Sequence, residues 1–153
     1  MKQITDLTQI KNTNTKIYVR WSKSFALDKK RGYSLRCGSY REVGLSCCEI
    51  DPTWEDWRIL RQIHEYFFCG GACWIITGDK VGTGGDDEPL LNNVQLVGKI
   101  GKKLLAQSEN WRKMELIADI AADEDRLTRM TDKFAIEITI ASLARDRAEL
   151  AKL

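Results

Sequence analysis

No glycine follows Gly101 and no proline follows Pro89. Glycine weakens a helix through backbone entropy, and proline removes a donor and clashes with the preceding turn. From about Lys102 to Leu153 the chain lacks both breakers, and its apolar residues fit helical periods: Leu104, Leu105, Leu116, Ile117, Ile120 and Ala121. The polar stretch DEDRLTRMTD kinks this region or divides it into two helices. Beyond it, Ile136, Ile140, Leu143, Arg147 and Leu150 step 4-3-4-3, a seam for packing against another helix. FAIEITIA alternates locally like a strand, but no turn residues flank it and the helical register continues through it, so helix is predicted.

The preceding residues have a different grammar. TDLTQIKN, 5–12, reads as a short helix that Thr5 or Asp6 can cap. In KIYVRWS, 16–22, Ile17, Val19 and Trp21 alternate with Tyr18 and Arg20, the period of a strand. Residues 23–43 are basic and irregular and read as a loop. VGLSCCEI, 43–50, is a short buried strand ended by Asp51-Pro52-Thr53, where Asp51 or Thr53 suits a helix N-cap. In 54–68, Trp57, Leu60, Ile63, His64 and Phe67 recur at helical steps, and Gly70-Gly71 supplies a C-cap. ACWIITG, 72–78, and NVQLVGKI, 93–100, are strands, with a connection from about 82 to 92. The fold class is therefore α+β: a small antiparallel sheet with packed helices, residues 1–110, plus a helical C-terminal extension, 111–153. The extension is an expected oligomerisation or partner-docking element.

The connection VGTGGDDEPLL, 81–91, sets Gly82, Gly84 and Gly85 beside Asp86, Asp87 and Glu88. A phosphate loop of the GxxxxGK[ST] type needs a lysine and a following helix, and a dinucleotide fingerprint needs a further glycine; this stretch has neither set. Carboxylates suit Ca²⁺ or Mg²⁺, but the EF-hand spacing is absent. The loop reads first as a turn and second as a ligand- or partner-binding loop, with Arg20, Arg36 or Arg41 as ion-pair partners for Asp86 or Glu88. A pocket on this reading comprises Arg20, Trp74, Gly82, Gly84, Asp86, Asp87 and Glu88.

Gly98-Lys99-Ile100-Gly101, followed by Lys102 and Lys103, resembles the GxxG loop of KH domains, which joins two helices and clamps a nucleic-acid backbone. Here a strand precedes it. The simpler reading is a strand-to-helix corner at which Lys99, Lys102 and Lys103 face solvent or hold an anion. Cys69 and Cys73 lack a second pair, Cys47 and Cys48 are adjacent, and free buried thiols are the simplest account. The single histidine, His64, lies on a helix among aromatics. No catalytic set, metal site or cofactor is indicated. Five tryptophans are many for 153 residues, and core packing is their default use.

The 24 basic and 22 acidic residues give a net charge of +2, no overall basis for a polyanion partner. No apolar run reaches the roughly 18 residues that span a bilayer, and the polar N-terminus lacks a signal-peptide core. The expected location is cytoplasmic, in keeping with an odd cysteine count.

Ile17-Tyr18-Val19-Arg20-Trp21-Ser22, Gly44-Leu45-Ser46, the helix with Trp54 and Trp57, and Trp74, Gly78, Val81, Gly82, Gly84, Asp86, Glu88, Pro89 and Leu90 agree in order and spacing with a known pattern over about residues 5–100. In this the chain resembles a family of short bacterial proteins of unknown function, found notably in actinobacteria. The resemblance implies a shared α+β domain and no activity, and the C-terminal helices depart from it.

These readings lead to a non-catalytic cytosolic protein acting through protein contacts, such as a phage or mobile-element inhibitor or regulator, with self-association through the C-terminal helices. The alternatives are a small-molecule or nucleotide binder using the glycine/acidic loop, and a nucleic-acid binder using Lys99 to Lys103.

Overall fold

The computed structural model describes residues 2–13, 15–20, 47–70, 74–83 and 89–153. The protein is α+β, and its contacts divide it into two compact units, 1–109 and 110–153.

The first unit is built on a five-stranded sheet: β1 (Gln3–Ile4), β2 (Ile17–Arg20), β3 (Cys47–Ile50), β4 (Trp74–Thr83) and β5 (Pro89–Ile100), in the order β1-β5-β4-β2-β3. All pairings are antiparallel except β1 on β5. Of the segment read as a strand over 16–22, the described part forms β2, but its alternation does not separate a dry face from a wet one. Ile17, Val19, Ile50 and Ile75 share one face and are fully buried, while Tyr18, Ile76 and Trp74 share the other and are buried too. β2 and β4 lie inside the sheet, and both faces are covered along β2 and the first residues of β4, 74–76, whereas Asp79 and Lys80 further along β4 are exposed.

Among the described residues this unit has three helices: α1 (Leu7–Lys11), α2 (Asp56–Gly70) and α3 (Lys102–Ser108). Asp6 caps α1 by accepting from Thr8 N at 2.8 Å, and the Gln9 side chain accepts in return from Asp6 N at 3.1 Å, a capping box. Asp51 does not cap α2. Its carboxylate accepts from Thr53 N at 2.9 Å and Thr53 Oγ1 at 2.7 Å, closing a turn. The helix starts later, with the Glu55 carbonyl accepting from Arg58 N at 3.0 Å. Ile59, Leu60 and Ile63 form the buried stripe of α2, which packs on β2, β3 and α3.

The connection expected over 82–92 is shorter. β4 runs on to Thr83 and β5 begins at Pro89, with Gly82 opposite Leu90 and Thr83 opposite Pro89. Proline is tolerated as the first residue of a strand, and glycine near a ladder irregularity. A bulge puts Asn93 at φ 52°, a conformation asparagine tolerates; its amide donates to Asp79 Oδ2 at 2.8 Å.

The second unit is a helical hairpin of α4 (Trp111–Leu127) and α5 (Lys133–Lys152). Asp132 caps α5 by accepting from Phe134 N at 3.2 Å. The polar stretch thus divides two helices, and FAIEITIA is helical. Leu116 on α4 and Leu143 on α5 are buried.

Candidate functional site

One rung of the ladder crosses all five strands. Cys47 pairs with Arg20, Arg20 with Trp74, Trp74 with Lys99, and Lys99 with Gln3. Trp74 is only 5% exposed, and its indole Nε1–H is buried with no acceptor among the described residues. A buried donor left unpaired costs about 1–3 kcal/mol, so the position invites an acceptor. Lys99 Nζ stands 5.5 Å from the centre of the Trp74 ring, a cation–π contact. The lysine and the indole N–H both favour an anionic or carbonyl-bearing group.

The expected site residues separate into groups. Arg20 enters the rung by its backbone register. Lys99, read from sequence as part of a different corner, joins Trp74 here because antiparallel pairing brings distant segments level. Gly82 lies eight residues further along β4, about 25 Å of strand from Trp74 at the usual rise per residue. Gly84, Asp86, Asp87 and Glu88 lie outside the described residues, as do Arg36 and Arg41.

The segment from Gly98 to Lys103 is the strand-to-helix corner expected as its simpler reading. Gly98, Lys99 and Ile100 belong to β5, so no loop joins two helices there. Gly98 has a packing reason: a Cβ on it would stand 2.8 Å from the Lys2 carbonyl oxygen, where β1 closes on β5. Gly101 N donates to Ile4 O at 2.9 Å, and Gly101 then occupies the N-cap of α3. Lys102 and Lys103 are exposed in the first turn of that short helix.

A second candidate surface lies on the hairpin. The seam Ile136, Ile140, Leu143, Arg147, Leu150 does meet a helix, but that helix is α4 of the same chain. Leu143 is buried, Ile136 and Leu150 are half-buried, and Arg147 donates to Glu124 at 2.6 Å. Ile140 is 53% exposed, at the margin of the seam. Arg112 forks onto Glu149 through Nε and Nη2, both at 2.9 Å, and reaches Glu115 at 2.5 Å. Those hydrogen bonds, to Glu115 first and Glu149 second, raise the guanidinium pKa.

Between α4 and α5 runs an open polar groove of about 380 Å³, lined by Arg112, Asp119, Asp123, Arg126, Asp146 and Glu149 among others. Partial burial, then the charges of Glu115 and Asp146, raise the Asp119 pKa, with Arg112 opposing. Among the described residues no group of three or more His, Cys, Asp or Glu side chains is placed to hold a metal ion.

The outer side of the hairpin was not singled out from sequence. Phe134 is 69% exposed and Ile138 54%, one turn apart on α5, with Ile117 exposed on α4. The signal was present in the same FAIEITIA stretch: its apolar residues are too many for one helical face, so some must point outward.

No helix among the described residues is long and apolar enough to cross a membrane. No curated protein and no solved structure matches the chain. A family model does match it over residues 1–119, ending inside α4 and before α5. On that match the chain belongs to the family of unknown function DUF6098.

Proposed function

We propose that this chain is a non-catalytic protein of the bacterial cytosol that acts through protein contacts, with α5 as its docking element. The observation that carries this reading is the pair Phe134 and Ile138, large apolar side chains more than half exposed on one face of a helix. That helix lies beyond the residues matched to the family, so it adds a surface to a shared domain. A regulator or inhibitor of the phage or mobile-element kind is the finer form of this reading, supported by the same appended helix. The test is a photo-crosslinking amino acid placed in the full chain at 134, at 138 or at the exposed control position Lys113. Specific adducts at 134 and 138 support docking there. Adducts no more abundant than at 113 overturn it.

The Trp74 indole, without an acceptor among the described residues, favours a second reading, a small-molecule binder that takes an anionic group at the Trp74–Lys99 rung. Inorganic phosphate and nucleotides should then raise the melting temperature of the wild-type chain but not of W74F. Equal shifts in both proteins, or none in either, would refute it.

A further inference from the structure

The outward face of α5 carries its own 4-3-4-3 stripe: Phe134, Ile138, Ala141, Arg145 and Ala148. At about 100° per residue these positions centre on the side opposite Leu143, whose side α4 already covers. We infer that this stripe pairs with the same stripe of a second copy of the chain, the two α5 helices running antiparallel. The inference rests on the docking reading above and names its partner.

Size and charge both select that arrangement. The large residues of the stripe sit at its N-terminal end and the alanines towards its C-terminal end. An antiparallel pairing about Ala141 sets Phe134 level with Ala148 of the partner, large against small, and lets the helices approach at Ala141. The same axis brings Glu137 level with Arg145 of the second copy, and twofold symmetry repeats the contact. Parallel pairing would set Phe134 against Phe134 and Arg145 against Arg145. Both partners of the proposed ion pair have capacity to spare. Glu137 is exposed and makes no ion pair among the described residues. Arg145 has a side chain 76% exposed and among the described residues reaches Ser142 at 3.3 Å and Asp146 at 3.7 Å.

The hairpin also has reason to seek more burial. Among its helical residues only Leu116, Thr139 and Leu143 are buried, and so small a core is marginal by itself. Two hairpins joined through α5 form a four-helix arrangement in which α4 covers one side of each α5 and the partner's α5 the other.

Analytical ultracentrifugation of the full chain across a concentration series tests the pairing, with helicity checked by circular dichroism. The expected result is a monomer–dimer equilibrium. E137R and R145E should each raise the dimer Kd about tenfold, because two attractive pairs become repulsive, and the double swap E137R/R145E should recover most of the loss. A helical F134S/I138S variant should sediment as a monomer. A wild-type monomer throughout, a dimer indifferent to the single swaps, or a double swap that recovers nothing would overturn the antiparallel pairing. Should the wild type stay monomeric while position 134 still crosslinks to another protein, the pairing fails and the docking reading stands; with no specific adduct, both fail.

Discussion

The two units of this chain fold on different terms. The sheet unit buries Tyr18, Val19, Trp74 and a long series of Ile and Leu residues, from Ile4 to Leu104, on both faces of its central strands and under α2. The hairpin buries only Leu116, Thr139 and Leu143 and exposes Ile117, Phe134, Ile138, Ile140 and Leu153. It spans its interface with ion pairs, Arg112–Glu149 and Arg147–Glu124. Apolar burial stabilises in proportion to area and resists salt, whereas exposed ion pairs contribute about 1 kcal/mol or less and are screened. A unit of the first kind stands by itself. The second kind holds its helices but leaves apolar surface for another molecule.

The sharpest break of this comparison is a core truncation. Ile75 is fully buried on β4, between β2 and β5. Ile75→Ala should cost about 3–4 kcal/mol through lost transfer energy and the cavity left behind. Ile140→Ala, the same change at a side chain 53% exposed on α5, should cost under about 1 kcal/mol. Urea unfolding followed by tryptophan fluorescence and far-ultraviolet circular dichroism measures both. Equal losses at the two positions would mean that the hairpin is packed as tightly as the sheet.

Where one rule dominated, the sequence was legible; where two competed, it was not. The loss of glycine after Gly101 and proline after Pro89 marked the helical region, and Thr5 or Asp6 as a cap marked α1, because breakers and caps act locally. The 16–22 alternation located β2 but carried no information on its environment: Tyr18 is buried where it pairs with Ile76 inside the sheet. Gly98 looked like half of a nucleic-acid loop because a glycine needed for flexibility and one needed for close approach are spelled alike. Its reason, the Lys2 carbonyl, lies near the other end of the unit. The Trp74–Lys99 contact depends on strand register across a hairpin with three irregularities, and no local pattern encodes that.

A smaller effect separates the two kinds of stabilisation. Arg112→Ala removes the fork to Glu149 and the bond to Glu115. With the arginine side chain 38% exposed, the loss should be about 1 kcal/mol. Hydrogen exchange should show it as faster opening of α4 and α5, with the sheet amides unchanged. The difference between variant and wild type should shrink in 1 M salt. Sheet amides that accelerate equally would show the units to be energetically one.

The smallest expected effect concerns pH and has opposite signs in the two units. Asp6 and Asp51 have lowered pKa values, chiefly because the backbone N–H groups of Thr8 and Thr53 donate to their carboxylates. Their stabilisation is present above the unfolded carboxylate value and is lost as pH falls through the lower folded one. Asp119 is raised by partial burial, with Glu115 four residues before it adding like charge and Asp123 four residues after it adding less. Its ionised form therefore destabilises the hairpin above the folded pKa, and that cost disappears as pH falls below the unfolded value. Asp119→Asn should stabilise the hairpin at pH 7 by about 0.5 kcal/mol, the usual size of like-charge repulsion at this spacing, and should make no difference near pH 3. Exchange rates of the α4 amides at the two pH values, corrected for intrinsic chemistry, measure it. A gain that persists at pH 3 would place its origin in packing, and the hairpin would then share the sheet's mode of stabilisation after all.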